Sequence, residues 1–260
     1  MLTVVISYYK NLPNLELILS ALDLQSDTNF EVIVSEDDND PATQTFIGKI
    51  QKKVKFPIVH LSQEDKGFRK NRSLNKSIRA AQGDFMIFLD GDCIPHKHLV
   101  RAYSKVSHLS GIFYGRRVML SESLTQKLQS QRQFHGLTFA KLWFSGSKKL
   151  KEHWYLPLSL SWATRGLKGC NWGVQKSDLM AVNGYDESYV YATVGEDDDI
   201  SWRLQQKGLA LISMKNKAIV YHLDHPRTYG TKGTAINLKI FETVKSQQKI
   251  FCTNGLNQVS

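Results

Sequence analysis

The sequence predicts an α/β protein with a mostly parallel central sheet flanked by helices, and three observations lead there. Apolar runs of strand length alternate with helical patterns through the first ninety residues, as repeated βα units do. The run Phe85-Met86-Ile87-Phe88-Leu89 is continuously apolar, which marks a parallel strand buried on both faces. Acidic turns, Glu36-Asp37-Asp38 and Asp90-Gly91-Asp92, follow two of the runs. Open α/β sheets collect ligands there, outside the carboxyl ends of their strands.

In chain order, residues 2–7 read as a strand running straight into Ser7-Tyr8-Tyr9-Lys10, rather than as a signal peptide. Residues 12–24 read as a helix, 30–34 as a strand, 43–53 as a helix and 58–61 as a short strand. A helix over 69–82 then leads to the strand 85–89, which ends at Asp90. From His96 the pattern changes to a helix over 97–106, a strand over 112–118 and a mixed, aromatic-rich segment over 121–162. Residues 169–174 read as a strand and 177–180 as a capped helical turn before the loop Asn183-Gly184-Tyr185-Asp186. Ile200 and Leu204 carry a helix that starts at or just after Glu196, 218–221 form a strand, and 236–250 form a terminal helix. The expected organisation is one domain with two halves, a regular one over 1–95 and a less regular one over 96–260.

With 260 residues, 42% of them hydrophobic and 22% charged, the chain is long enough for one substantial core. It contains no apolar run approaching the roughly 18 residues that cross a bilayer. Three widely separated cysteines, Cys93, Cys170 and Cys252, suit reduced thiols and a cytoplasmic protein better than a disulfide framework. A net charge of +10 points to anionic partners. The basic residues are dispersed and no nucleic-acid module signature is present, so no nucleic-acid partner is expected. Lys148-Lys149-Leu150-Lys151, followed by His153, Trp154 and Tyr155, interleaves cations with aromatics. It is the candidate contact with an anionic membrane face, set against the plainer reading of a solvated loop.

Chemistry concentrates in two acidic clusters. Asp90 and Asp92 stand one residue apart where a buried strand breaks into a turn, so both carboxylates can face a divalent cation and the diphosphate it carries. An ordinary polar turn would also use Asp and Gly. The second cluster, Gly195-Glu196-Asp197-Asp198-Asp199-Ile200, opens a helix and offers a general base. Acids are favoured at a helix N-terminus in any case, yet three consecutive aspartates exceed what capping requires. Trp154, Trp162 and Trp172 are candidates for stacking on sugar rings, although aromatic residues are more often core.

Gly67-Phe68, Asn75, Ala81-Gln82-Gly83-Asp84 and Phe88-Leu89-Asp90-Gly91-Asp92, with the opening strand and Phe30-Glu31-Val32-Ile33-Val34, resemble the family 2 glycosyltransferases of the Rossmann-like GT-A fold. The second acidic cluster, with Arg203-Leu204 behind it, resembles a C-terminal signature shared with beta-1,4-galactosyltransferases. The resemblance implies that Asp92 ligates Mn²⁺ or Mg²⁺ and that Asp90 contacts ribose or metal beside Gly91. A histidine after the last strand, His222 in preference to His225, completes the metal shell. It places Ser7 and either Glu36 or Asp37 at the nucleoside, and Asn75 with a cation such as Lys66, Arg69 or Arg72 at the donor. It makes Asp197 the base, gives Glu196 a hydrogen bond to acceptor or donor sugar, and puts Asn171 and Trp172 at the acceptor.

The implied activity is inverting transfer of a hexose or N-acetylhexosamine from a UDP-sugar to a glycan or lipid-linked glycan, in lipopolysaccharide or capsule synthesis. The expected location is the cytoplasm, with peripheral contact at the inner membrane face. A sugar nucleotidyltransferase would want a glycine-rich, arginine-containing loop after the first strand, and Ser7-Tyr8-Tyr9-Lys10-Asn11-Leu12-Pro13 is not one. A noncatalytic glycan- or nucleotide-binding module would have no need of Asp90, Asp92 and Asp197 together.

Overall fold

A computed structural model describes residues 1–156, 166–226 and 230–257; Trp162 lies outside the described residues. Its first half alternates β1 (Leu2–Tyr8), α1 (Leu12–Asp23), β2 (Phe30–Glu36), α2 (Pro41–Ile50), β3 (Ile58–Leu61), α3 (Lys70–Ala80) and β4 (Phe85–Asp90). Local chemistry sets several starts. The Asn11 side chain accepts from the Asn14 N–H at the head of α1, and Asp40 accepts from Ala42 N–H before α2, whose first residue is Pro41. The second half continues with β5 (Cys93–Pro95), α4 (Leu99–Ser104), β6 (Ile112–Tyr114), β7 (Arg116–Met119), α5 (Glu122–Gln131) and α6 (Phe139–Phe144). A 3₁₀ turn at Leu150–Glu152, β8 (Asn171–Gln175), α7 (Lys176–Ala181), α8 (Glu196–Gln206), β9 (Leu211–Ser213), β10 (Ile219–His222) and α9 (Thr231–Ser246) complete it.

Among the described residues, seven strands form one sheet in the order β3-β2-β1-β4-β8-β6-β9. The first four run parallel, whereas β8 is antiparallel to both β4 and β6. A three-stranded sheet, β5-β10-β7, packs beside it. The fold is thus the expected mixed α/β architecture with a mostly parallel sheet. Strand alternation sends Val4 and Ile6 to the core face shared with α1, and Val5 to the opposite face with Leu74 and Ile78 of α3 and Ile200 and Leu204 of α8.

The expected single strand over 112–118 is two strands in different sheets. They part at Gly115, where a Cβ would stand 2.2 Å from Asn171 Nδ2 and 2.4 Å from the Ala218 oxygen. Only glycine lets the chain cross so close to the neighbouring backbone. The strand expected from Gly169 begins at Asn171 because Gly169 and Cys170 form a turn. The terminal helix starts at Thr231 and stops at Ser246, earlier at both ends than its apolar pattern suggests. The short strands β5 and β9 carry too few residues to show a period of two, and the sequence pattern did not reveal them. No described helix is long and apolar enough to cross a membrane.

Candidate active site

The parallel register brings the ends of three strands level, pairing Ser7 with both Ser35 and Asp90 and setting Tyr8 beside Glu36. Beyond these ends lies a cleft of about 690 Å³ lined by residues of both halves, within the usual range for small-molecule sites. Gly91 closes the approach of β4 to β1, since a Cβ there would stand 2.7 Å from the Ser7 oxygen.

On one wall stand Asp90 and Asp92. Lys70, the first residue of α3, donates to Asp90 Oδ1 at 3.0 Å. Burial alone would lower the Lys70 ammonium, but Asp90, Asp197 and Glu196 raise it well above the ordinary lysine value. It is a fixed positive charge between the two acidic clusters. The small sheet brings β10 alongside: His222 pairs with Cys93, and the Leu223 N–H donates to the Asp92 backbone carbonyl at 2.8 Å. His225 Nε2 is then 3.0 Å and His222 Nε2 3.4 Å from Asp92 Oδ2. Burial pushes Asp92 up, but the hydrogen bond from His225 and the His222 charge outweigh it and hold the carboxyl at about 2. His225 rises to about 9 through its bond to Asp92, whereas burial lowers His222.

Ligand atoms of Asp92, Cys93 and His222 lie within 4.8 Å of one another. His222 Nδ1 is buried with no hydrogen-bond partner among the described residues. Carboxylate with imidazole suits Mn²⁺ and related divalent ions, so this donor set fits a cation.

The opposite wall is the start of α8. Its four leading acids diverge because successive helical residues point about 100° apart. Asp197 faces the cleft, and its Oδ2 accepts from the Gly169 N–H at 2.8 Å. Glu196 also lines the cleft, is 7% exposed and has no hydrogen-bond partner on Oε2 among the described residues. Burial first, then the Asp197 charge, raises Glu196 to about 7. Burial also raises Asp197, against the attraction of Lys70. Asp199 turns into the core and pairs with buried Arg203 at 2.7 Å.

Ser7, Asp37, Asp90, Gly91 and Asp92 of the expected nucleotide-sugar set line the cleft, as do Glu196 and Asp197. The remaining expected contacts are placed elsewhere. Glu36 is fully buried and bound to His60 Nε2 at 2.7 Å, so the acidic turn offers Asp37 to the cleft. The Arg69 backbone N–H donates to the Asp37 carboxylate at 2.7 Å, while its guanidinium donates to the Glu64 backbone carbonyl; neither Arg69 nor Arg72 lines the cleft. Asn75 is fully buried, and its amide binds the backbone of Tyr185 through both ends, at 2.9 Å each. Asn171 and Trp172 are core residues because β8 is an interior strand. Asn171 accepts from Tyr103 Oη and donates to the Arg116 and Ala218 oxygens, tying the two sheets together. Trp172 is fully buried against Phe88, with ring centroids 4.8 Å apart.

Lys70, Arg117 and Lys168 are cleft cations that the sequence reading passed over. For Lys70 a signal existed, since it shares a helical face with buried Leu74 and Ser77 at i+4 and i+7.

Comparison with known proteins supplies the context. A sequence model described as glycosyl transferase family 2 matches residues 3–157. A second, described as the N-terminal domain of galactosyltransferase, matches residues 157–226. No curated protein matches significantly. Among solved structures, a mannosyltransferase from Pyrobaculum calidifontis in complex with GDP-Man and Mn²⁺ is similar with a TM-score of 0.63 at 16% identity, over 95% of this chain and 64% of that one. TarS from S. aureus gives 0.60 at 16% identity, over 94% and 39%. A TarS 1-349 complex with UDP-GlcNAc gives 0.54 at 15%, over 88% and 60%. The chain therefore spans between about two fifths and just under two thirds of these proteins, and the likeness shows a GT-A fold.

Proposed function

Because the chain belongs to glycosyl transferase family 2, we infer that the cleft moves a hexose or N-acetylhexosamine from a UDP-sugar to a glycan hydroxyl, with inversion. The observation carrying this reading is the pairing of two acidic walls across one cleft, Asp90 and Asp92 against Glu196 and Asp197, with Lys70 between them. A diphosphate leaving group and an acceptor hydroxyl need opposite treatment, one charge neutralisation and the other proton removal, and the walls divide those tasks. Two solved neighbours were bound to nucleotide-sugars, which supports the donor class.

Asp92 and His222, with Asp90, would hold Mn²⁺ or Mg²⁺. When bound, the ion supplies Lewis-acid neutralisation of the diphosphate. The chain's own groups do the rest. Asp37 accepts hydrogen bonds from the nucleoside, and Lys70 balances charge on the departing phosphate. Asp197, oriented by Gly169, takes the acceptor hydroxyl proton as the oxygen attacks the anomeric carbon and the bond to phosphate breaks. Displacement from the opposite face inverts that carbon. Glu196 binds a sugar hydroxyl beside it. A second reading exchanges the last two roles, because Glu196 has the free oxygen and the value near 7 that suits a base at neutral pH. The acceptor is a surface glycan of the lipopolysaccharide or capsule type, free or lipid-linked.

The test is release of free nucleotide from UDP-, GDP- and CMP-sugars with Mn²⁺ or EDTA, with and without glycan acceptors. Metal-dependent UDP release supports the reading; the absence of both release and metal-dependent UDP binding overturns it. Asp197→Asn should keep donor binding and lose transfer, while near-normal turnover in that variant would hand the base to Glu196.

A further inference from the structure

Residues 139–156 build an outward platform of aromatic rings and lysines that the cleft does not use. In α6 only Leu142 is buried, while Trp143 is 62% and Phe144 86% exposed. Trp154, 54% exposed, stacks on Phe139 at 5.1 Å, and Phe139 stacks on Trp143 at 6.2 Å. Rings from two separate stretches of chain thus join into one apolar surface. The platform is fixed to the fold. Lys148 exchanges backbone bonds with Met119 of β7 at 2.7 and 3.0 Å, and His153 Nδ1 lies 3.1 Å from Tyr221 Oη of β10.

Lys141, Lys148, Lys149 and Lys151 are exposed around these rings. Among the described residues, no ion pair engages Lys141, Lys148 or Lys151. Glu152, the acid of this stretch, is buried. Large exposed rings held together are a mark of an interaction surface, since water is a poor solvent for them. Tryptophan rings favour the headgroup level of a bilayer, where one edge is wet and the face is apolar. Lysine stems lie along such a surface while their ammonium groups reach lipid phosphates. A second copy of this chain would set lysines against lysines, and the net charge of +10 would oppose that approach.

We propose that this platform docks the protein on an anionic phospholipid bilayer, its aromatic rings entering the headgroup boundary and its lysines pairing with lipid phosphates. On the reading of the cleft given above, docking would bring the site to acceptors carried on lipid; the docking itself does not depend on that reading.

The experiment is sedimentation of the whole protein with vesicles of phosphatidylcholine alone or mixed with phosphatidylglycerol. Binding is expected with the mixed vesicles, weakening as salt is added. The double variant Trp143→Ser, Phe144→Ser should lower the partition coefficient at least about tenfold. Lys148→Gln should lower it about fivefold. All three positions are exposed, so circular dichroism and metal-dependent UDP binding should not change. Protein left in the supernatant with both vesicle types would overturn the proposal, as would variants that bind like the parent. Equilibrium ultracentrifugation showing a dimer that Trp143→Ser, Phe144→Ser dissociates would assign the platform to a second copy instead. The assay reads no sugar transfer, so its failure is distinct from failure of the proposed activity.

Discussion

Glu196 should make the folded protein less stable as pH rises, and Glu196→Gln should remove that loss. Its carboxyl moves from an ordinary 4.5 to about 7, first by burial and then by the Asp197 charge. The native state therefore holds this proton more tightly than the unfolded chain does. The stability it contributes is fully present below 4.5 and is lost as pH climbs through about 7. At about 1.4 kcal/mol per pH unit, the difference amounts to about 3 kcal/mol. That is a large share of the roughly 5–15 kcal/mol by which domains are stable. Glutamine keeps the shape of the protonated acid and cannot ionise. Urea unfolding in EDTA should give variant and parent nearly equal stability near pH 4.5, with the variant ahead by about 3 kcal/mol near pH 8. A variant equally destabilised at both pH values, or one whose advantage does not grow with pH, would refute the reasoning that burial of a charge dominates at this position. On the proposed reading, in which Glu196 binds a sugar hydroxyl, transfer activity of Glu196→Gln should fall even as stability rises, the trade expected where a buried carboxyl serves a site at a cost in stability.

Asp199→Asn, three residues along the same helix, should behave in the opposite way. It strands the buried Arg203 guanidinium, and calorimetric or urea unfolding should report a loss of about 3–5 kcal/mol at neutral pH. Asp92→Ala should abolish the Mn²⁺-dependent part of UDP affinity in titration calorimetry; an unchanged metal-dependent affinity would remove Asp92 from the cation site. Gly169→Ala places a Cβ 2.3 Å from Asp197 Oδ1, so it should displace that carboxylate, leaving UDP binding near normal while nucleotide release with acceptor falls by about a hundredfold or more. Retained turnover would show that the Gly169 contact does not position the base.

Much of this arrangement is visible in the chain before any folding is considered, because it depends on neighbours in sequence. Strand and helix periods, and a carboxylate pair where the apolar run of β4 ends, are local facts. So is the concentration of acids at the head of α8. They suffice for an α/β fold with acidic turns at the mouth of its sheet.

Which member of each acidic or basic cluster reaches the cleft depends on contacts distant in sequence. Asp37 rather than Glu36 faces the cleft once β3 sets His60 against Glu36, and Lys70 rather than Arg69 or Arg72 reaches Asp90 once α3 is laid against the sheet. Trp172 and Asn171 look available in a Gly-Cys-Asn-Trp segment, but antiparallel insertion of β8 between β4 and β6 buries both. His222 and His225 come to Asp92 only through the pairing of β10 with β5, across more than a hundred residues. Sequence periodicity fixes side-chain direction relative to a strand's or helix's own axis; the identity of the neighbour on that side comes from strand order and packing, which no local pattern encodes.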